Sequence, residues 1–351
     1  MKYSLANEFE KKLLEMYIGD LIGLKTIGKR ISKDPRTFKY LITKFGFEIP
    51  NPGSFWIKIK YHLDYKFYRP ISPFLHELII GSLLGDAQIR LQSKNVVHSN
   101  NPDIIQYQDV LQDMNNFRNQ IRKSNELGQN EVDCWNEGIK MIQNTNTATL
   151  RFHKSILEKN WVRILSNQLS PAYSATPYVK LKGKRNINQR IKWTCGFDTS
   201  ASVQLFKIWQ LWYIQKGTTN IKVLPRNLPE ITPNILLHWY IGDGTLSGSD
   251  FSLSTHNFTY LENLKLRDYL STVGITSSVK QKNNNYFLRL SNSQSNVETF
   301  FNYISKAKLY NNAKDLFPYK FDKKIKKGDW INKVLKEYPE FTDENSIIKF
   351  D

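Results

Sequence analysis

Two acidic residues stand out by where they sit. Asp86 closes the apolar run LHELIIGSLLGDAQI and Asp243 closes NILLHWYIGDGTL; each follows a glycine, Gly85 or Gly242, and precedes a small residue, Ala87 or Gly244. A single Gly-Asp after an apolar helix is ordinarily the turn that stops the helix. Two in matching positions call for a shared purpose. If the helices pack side by side and parallel, the carboxylates converge at helix C-termini, where the backbone dipole is also negative. Like charges held that close do not both ionise unless a cation lies between them. Carboxylate, water and phosphate oxygens are the donors that Mg²⁺ accepts, with Mn²⁺ as a substitute. The pair therefore points to metal-assisted chemistry on a phosphate.

The helices that must position these residues are apolar on nearly every side, so both are expected to be buried. Gly81 and Gly85, four apart on one face, let another backbone approach closely. The second helix offers Gly242 opposite Gly85 but His238 where the first has Gly81, followed by bulky Trp239, so the packing is expected to be asymmetric. His238 lies more than one turn before Asp243 and is expected to be a core or interface residue rather than a ligand. Around the helices the chain repeats itself. After the first come strand patterns at Gln88–Gln92 and Thr149–His153, a helix to Leu169, a hairpin over Tyr178–Trp193 and a helix over Ala201–Gln215. After the second come Thr245–Ser247, Phe251–His256, a helix over Tyr260–Val273, a hairpin over Ser278–Leu290 and a helix over Asn296–Leu309. Both halves have the order αββαββα, which makes this an α+β protein. The first half (73–224) exceeds the second (225–327) by an Asn- and Gln-rich insertion at 94–146, with a helix expected from Asp103 to Arg122.

Charge narrows the partner. The 351 residues carry 50 Lys and Arg against 32 Asp and Glu, a net of +18. Residues 151–226 hold 14 basic and two acidic side chains, so the charge is concentrated. Its densest piece, YVKLKGKRNINQRIKW, sets Lys180, Lys182, Lys184, Arg185, Arg190 and Lys192 along an alternating hairpin with no acid among them. Such a face suits phosphate tracking. Two cysteines exclude a disulfide framework or a four-thiolate zinc site. No apolar run reaches the ~18 residues of a membrane helix, and acids in the opening segment argue against a targeting leader. A nucleic acid is the expected partner, and a membrane is not.

The first fifty residues form short helices. LKTIGKRI and PRTFKYLITKFG flank a three-residue turn, in the manner of a helix-turn-helix with Arg36, Lys39 and Lys44 on its second helix. Residues 51–72 are expected to be a linker and 328–351 a tail. Deleting residues 1–50 should weaken binding and flatten its salt dependence.

The two motifs LIIGSLLGDA and LLHWYIGDG resemble the paired signature helices of the LAGLIDADG homing endonucleases, in the single-chain form that fuses two pseudo-symmetric halves. The intron-encoded members of yeast mitochondria are especially similar. The resemblance spans Pro73 to about Phe321. It implies a monomeric double-strand DNA endonuclease with a β-saddle in the major groove and metals at Asp86, Asp243 and the adjoining Ala87 and Gly244. By position it implies a basic catalytic partner for each half, Lys222 and Lys320. Saddle contacts would come from the first hairpin and from Lys280, Lys282 and Arg289. The alternative is an RNA-binding intron maturase or ribosome-associated factor that kept the fold and lost the nuclease. A Lys-, Asn-, Ile- and Tyr-rich composition fits an organelle-encoded, mitochondrial gene.

Overall fold

The computed structural model describes residues 7–49, 59, 63, 71–91, 104–123, 129–182 and 190–350. They fall into two compact units, one drawn from 1–69 and 93–146, the other from 70–92 and 147–351. Most of the expected linker, and the expected DNA contacts Lys184 and Arg185, lie outside the described residues.

In the first unit, helices Glu8–Leu14, Leu24–Ile31 and Pro35–Lys44 share one core with helices Ile104–Arg122 and Gln129–Asn144. The sequence reading set 1–50 and 94–146 apart, but Leu13, Ile18, Ile27, Phe38 and Ile42 pack with Met114, Phe117, Ile121, Trp135 and Ile139. The cause is that none of these short helices can bury its apolar stripe alone. Lys44 lies 2.7 Å from the buried Glu10, fastening the third helix to the first. Asn136 donates to the Gly46 carbonyl at 2.8 Å, tying the late helices to the early ones.

The second unit holds the repeat. The first half runs through β1 (Gln88–Leu91), β2 (Ala148–Ser155), β3 (Ala175–Leu181) and β4 (Trp193–Thr199), paired antiparallel in the order β1-β2-β4-β3. A separate hairpin follows, β5 (Tyr213–Lys216) with β6 (Thr219–Lys222). The second half repeats the first sheet as β7 (Gly244–Ser247), β8 (Asp250–Leu253), β9 (Ser277–Lys282) and β10 (Asn285–Leu290), in the order β7-β8-β10-β9. Each sheet buries alternate residues, such as Leu150, Phe152 and Phe197 in one and Phe251, Leu253 and Leu288 in the other. Helices Lys159–Leu169 and Val203–Trp212 back the first sheet.

Three expectations need correction. The helix after β4 stops at Trp212 instead of Gln215, because Tyr213 turns extended to pair with Lys222 and stacks on Trp209 at 5.9 Å. The basic hairpin is differently bounded: β4 begins only at Trp193, so Arg190 and Lys192 stand on the segment leading into it. The Lys192 amide donates to the Phe341 carbonyl at 3.1 Å, and the Trp193 indole to that of Asp343 at 2.7 Å. The C-terminal segment therefore does not trail as a tail. It forms helix Lys327–Glu337 and returns to the first sheet, with Phe341 buried. Phe341→Ala should cost about 3 kcal/mol, since truncating a buried phenylalanine leaves a cavity; chemical denaturation measures it, and a cost under ~1 kcal/mol would mean the segment is loosely held.

Candidate active site

Helices Pro73–Leu84 and Pro233–Asp243 start alike, each with a hydroxyl cap and proline in the first turn. The Ser72 hydroxyl accepts from the Leu75 amide at 3.3 Å and that of Thr232 from the Ile235 amide at 3.2 Å. Apolar on all sides, they bury Leu78, Ile79, Ile80, Leu83 and Leu84 on one and Ile235 to Ile241 on the other, and they pack directly together. A Cβ added at Gly85 would stand 3.2 Å from the Gly242 Cα, and one at Gly81 would meet the Ile235 carbonyl and lie 2.8 Å from the His238 Cβ. Gly81 is thus the hollow that receives the bulk of His238. The imidazole is buried beside Trp161, ring centres 5.7 Å apart, and burial pushes its pKa down to about 3. His238 is a neutral packing residue.

This close crossing brings Asp86 and Asp243 together at the helix ends. Burial, and then the charge of Asp86, push the Asp243 carboxyl up to about 7, which is what two carboxylates sharing one site should do. Asp86 is the more exposed of the two and pairs with the Lys154 ammonium. Lys154 is itself buried and lies 3.4 Å from Glu158. Burial disfavours its charge, but Glu158, Asp86 and Asp243 outweigh that and raise its pKa.

Sequence reasoning missed Lys154. The signal was available: it shares strand parity with Leu150 and Phe152, and a lysine on the buried face of a strand needs a partner. Its counterpart by register in the second half is Thr255, which carries no charge, so the two carboxylates have unequal surroundings.

Lys222 and Lys320 take equivalent places. The Lys222 ammonium donates to the carbonyls of Gly85 and Ala87, both at 3.2 Å. The Lys320 ammonium donates to those of Tyr240, Ile241 and Gly244 at 3.2, 2.9 and 2.7 Å. Each lysine therefore sits on the C-terminal end of one signature helix, where cations satisfy carbonyls that lack intrahelical partners. Burial lowers Lys222 to about 8 and Lys320 to about 7. The β5–β6 hairpin delivers Lys222: it lies opposite Tyr213, whose hydroxyl accepts the Ile89 amide at 3.0 Å. A cleft of 370 Å³ opens onto Asp86, Lys154, Glu158, Gly242 and Lys320.

Two carboxylates do not complete a metal shell, and the described residues contain no cluster of three or more His, Cys, Asp or Glu side chains suited to one. The donor set is all oxygen and open, which fits a hard divalent ion finished by water and substrate phosphate. The carbonyls of Ala87 and Gly244, counted as metal positions from sequence, accept instead from Lys222 and Lys320.

On the sheets, residues opposite one another in register share a face. Lys280, Lys282 and Arg289 are exposed on the outer face of β9–β10, and Lys180 on that of β3. Arg90, Arg151 and His153 share the face of Lys180 and were overlooked in the sequence, although alternation from Ile89 and Leu150 places them there. Arg151 is held by Asp198 through two contacts of 2.6 and 2.7 Å.

Residues 133–300 match the model of the LAGLIDADG DNA endonuclease family. That match spans 168 of the 351 residues and takes in the second of the paired helices, Pro233–Asp243. Among solved structures, the homing endonuclease I-WcaI bound to its DNA recognition sequence is 15% identical, with a TM-score of 0.45, over 74% of this chain and 89% of that one. The meganuclease I-SmaMI bound to uncleaveable DNA is 10% identical, with a TM-score of 0.35, over 78% and 98%. No curated protein matches. The similarity to that family lies in the matched segment, and the paired helices and duplicated sheet order accompany it.

The metal-free protein should carry the mark of the crowded carboxylates. A carboxyl raised from 3.8 to about 7 binds more protons folded than unfolded, so it subtracts stability as pH rises through that interval and most above it. Asp243→Asn should then raise the melting temperature at pH 8 by a few degrees and leave it unchanged near pH 4, by thermal denaturation in EDTA. Equal melting at both pH values would contradict the crowding.

Proposed function

We propose that this chain is a site-specific, divalent-metal-dependent endonuclease that hydrolyses both strands of a long, asymmetric DNA target, working as a monomer because one chain supplies both halves. The observation that carries this reading is the convergence of Asp86 and Asp243 at the crossing of two matched helices, flanked by sheets with basic outer faces. Mg²⁺, held by those carboxylates, would supply a polarised phosphate and a water of lowered pKa. Asp86 and Asp243 would hold that ion and fix its place at the helix ends. Lys222 and Lys320, depressed toward neutrality, can pass a proton near neutral pH and stabilise charge growing on the leaving oxygen. Lys154 neutralises Asp86 in the resting site and would have to leave that carboxylate for it to hold a divalent ion.

Lys180, Lys280, Lys282 and Arg289, with Arg90 and Arg151, hold the duplex. Basic side chains reaching guanine edges discriminate by ~1–3 kcal/mol each, so many together make a target rare. Incubation with a randomised duplex library and Mg²⁺, followed by sequencing of cut ends, should return one long consensus without symmetry. Recovery of no cut molecules, with intron RNA bound more tightly than DNA, would favour the maturase alternative. A mitochondrial gene fits the composition and is part of the same proposal.

A further inference from the structure

The helix Pro35–Lys44 of the first unit carries a surface that the paired-helix site does not use. It and helix Leu24–Ile31 meet across a three-residue turn in which Ser32 adopts a left-handed conformation (φ 54°). Gly28 makes the turn possible: a Cβ there would stand 2.8 Å from the Lys33 carbonyl and 2.9 Å from the Pro35 ring. Phe38 and Ile42 point into the core and leave the opposite side of the helix uncovered.

On that side stand Arg36, Lys39 and Tyr40, all exposed, with Tyr40 at 70%. A tyrosine so exposed, one turn along from an arginine and beside a lysine, is an unusual use of a large aromatic in a helix with its own buried face. Charge within the unit is segregated around it. Residues 24–46 hold seven basic side chains and one acid, Asp34, while the stretch 104–123 with 129–144 holds four basic and five acidic. One member of the sequence-predicted set, Lys44, drops in rank, and the neighbouring Thr43 is not free to join it. The Lys44 charge is committed to Glu10, and the Thr43 hydroxyl turns back on the Lys39 and Tyr40 carbonyls at 3.1 and 3.0 Å. Arg36 pairs with Asp34 at 2.8 Å, but that pair is open to water and gives little resistance to a phosphate.

We propose that helix Pro35–Lys44 is a second double-stranded DNA contact, separate from the sheets, in which Arg36, Lys39 and Tyr40 enter a major groove while Lys25, Lys29 and Arg30 on the preceding helix line the phosphates. A helix with its partner crossing the backbone is the geometry that admits an α-helix to the groove. The proposal holds whether or not the carboxylate pair cleaves, and the test keeps the two apart.

Amine-reactive labelling of the full-length protein, read by mass spectrometry, compares free protein with protein saturated by an arbitrary-sequence 60-bp duplex or by a stem-loop RNA. Duplex DNA should cut the labelling of Lys39 at least about fivefold and leave Lys140, which is paired with Glu48, unchanged. Lys280 and Lys282 report on the sheets in the same digest. Protection there with Lys39 still reactive would overturn the second contact and leave the endonuclease reading standing; Lys39 protected without them would do the reverse. Protection of Lys39 by the RNA alone would also overturn it. The variant Lys29→Ala, melting as wild type does, should lower the salt dependence of duplex binding by about one phosphate contact. An unchanged slope would count against the contact.

Discussion

Asp86→Asn should lower double-strand cleavage by at least about 10³-fold while duplex binding in Ca²⁺ stays within a few fold. The amide keeps the shape of the side chain and its place after Gly85 but removes the charge that gathers a divalent ion and opposes the phosphate. Removal of one preorganised electrostatic group in an active site costs ~10²–10³ in rate, and loss of a metal position costs more. Asp243→Asn should block the break in the same way through the other strand. End-labelled duplex separates the cases, because each single variant should leave one strand intact and accumulate a nick in the other. Lys154 makes the two sites unequal. Its ammonium is bonded to Asp86, and its register counterpart is Thr255, so the variants are expected to differ in residual nicking even though both fail to complete the break. Double-strand cutting by Asp86→Asn at the wild-type rate would remove this carboxylate from the chemistry.

Gly81→Ala should destabilise the protein by about 3 kcal/mol or more and abolish cleavage with it. The new methyl would lie against the Ile235 carbonyl and 2.8 Å from the His238 Cβ, and neither of these can move without shifting the second helix. Overpacking against a flexible side chain is absorbed at ~1–3 kcal/mol; overpacking against backbone is not so readily relieved. Any shift that relieves it separates the helix ends and so the carboxylates. Gly328→Ala is the control, since a Cβ there meets nothing within 4 Å. Differential scanning calorimetry measures the difference. A Gly81→Ala protein melting with the control would show that the helices tolerate a wider spacing.

The parts legible in the sequence are those that depend on local pattern or on repetition. The duplicated Gly-Asp helices, the strand order in each half and the basic strands follow from spacing in the chain, and the sheet orders β1-β2-β4-β3 and β7-β8-β10-β9 express that duplication in space. Lys154 was hidden for a different reason. Its partner Asp86 is 68 residues away across the insertion, and only the β1–β2 register brings them together. The placing of the C-terminal segment was equally illegible, because it is tied down where the Lys192 amide donates to the Phe341 carbonyl, 149 residues further along the chain. The fusion of residues 94–146 with the N-terminal helices has the same origin: amphipathic helices declare an apolar stripe but not which stripe covers it. His238 shows the converse. Its bulk argued against close packing, and the structure accommodates it by giving the opposite helix a glycine at the point of contact.

The central claim is that the two carboxylates share divalent metal above a DNA backbone. Anomalous scattering from Mn²⁺ in crystals of the protein with a bound duplex tests it most directly. The account predicts Mn²⁺ within coordination distance of the Asp86 and Asp243 carboxylates and of a phosphate oxygen from each strand, with Lys154 moved off Asp86. Manganese bound elsewhere, with Asp86 still joined to Lys154 and both carboxylates away from the DNA, would contradict it.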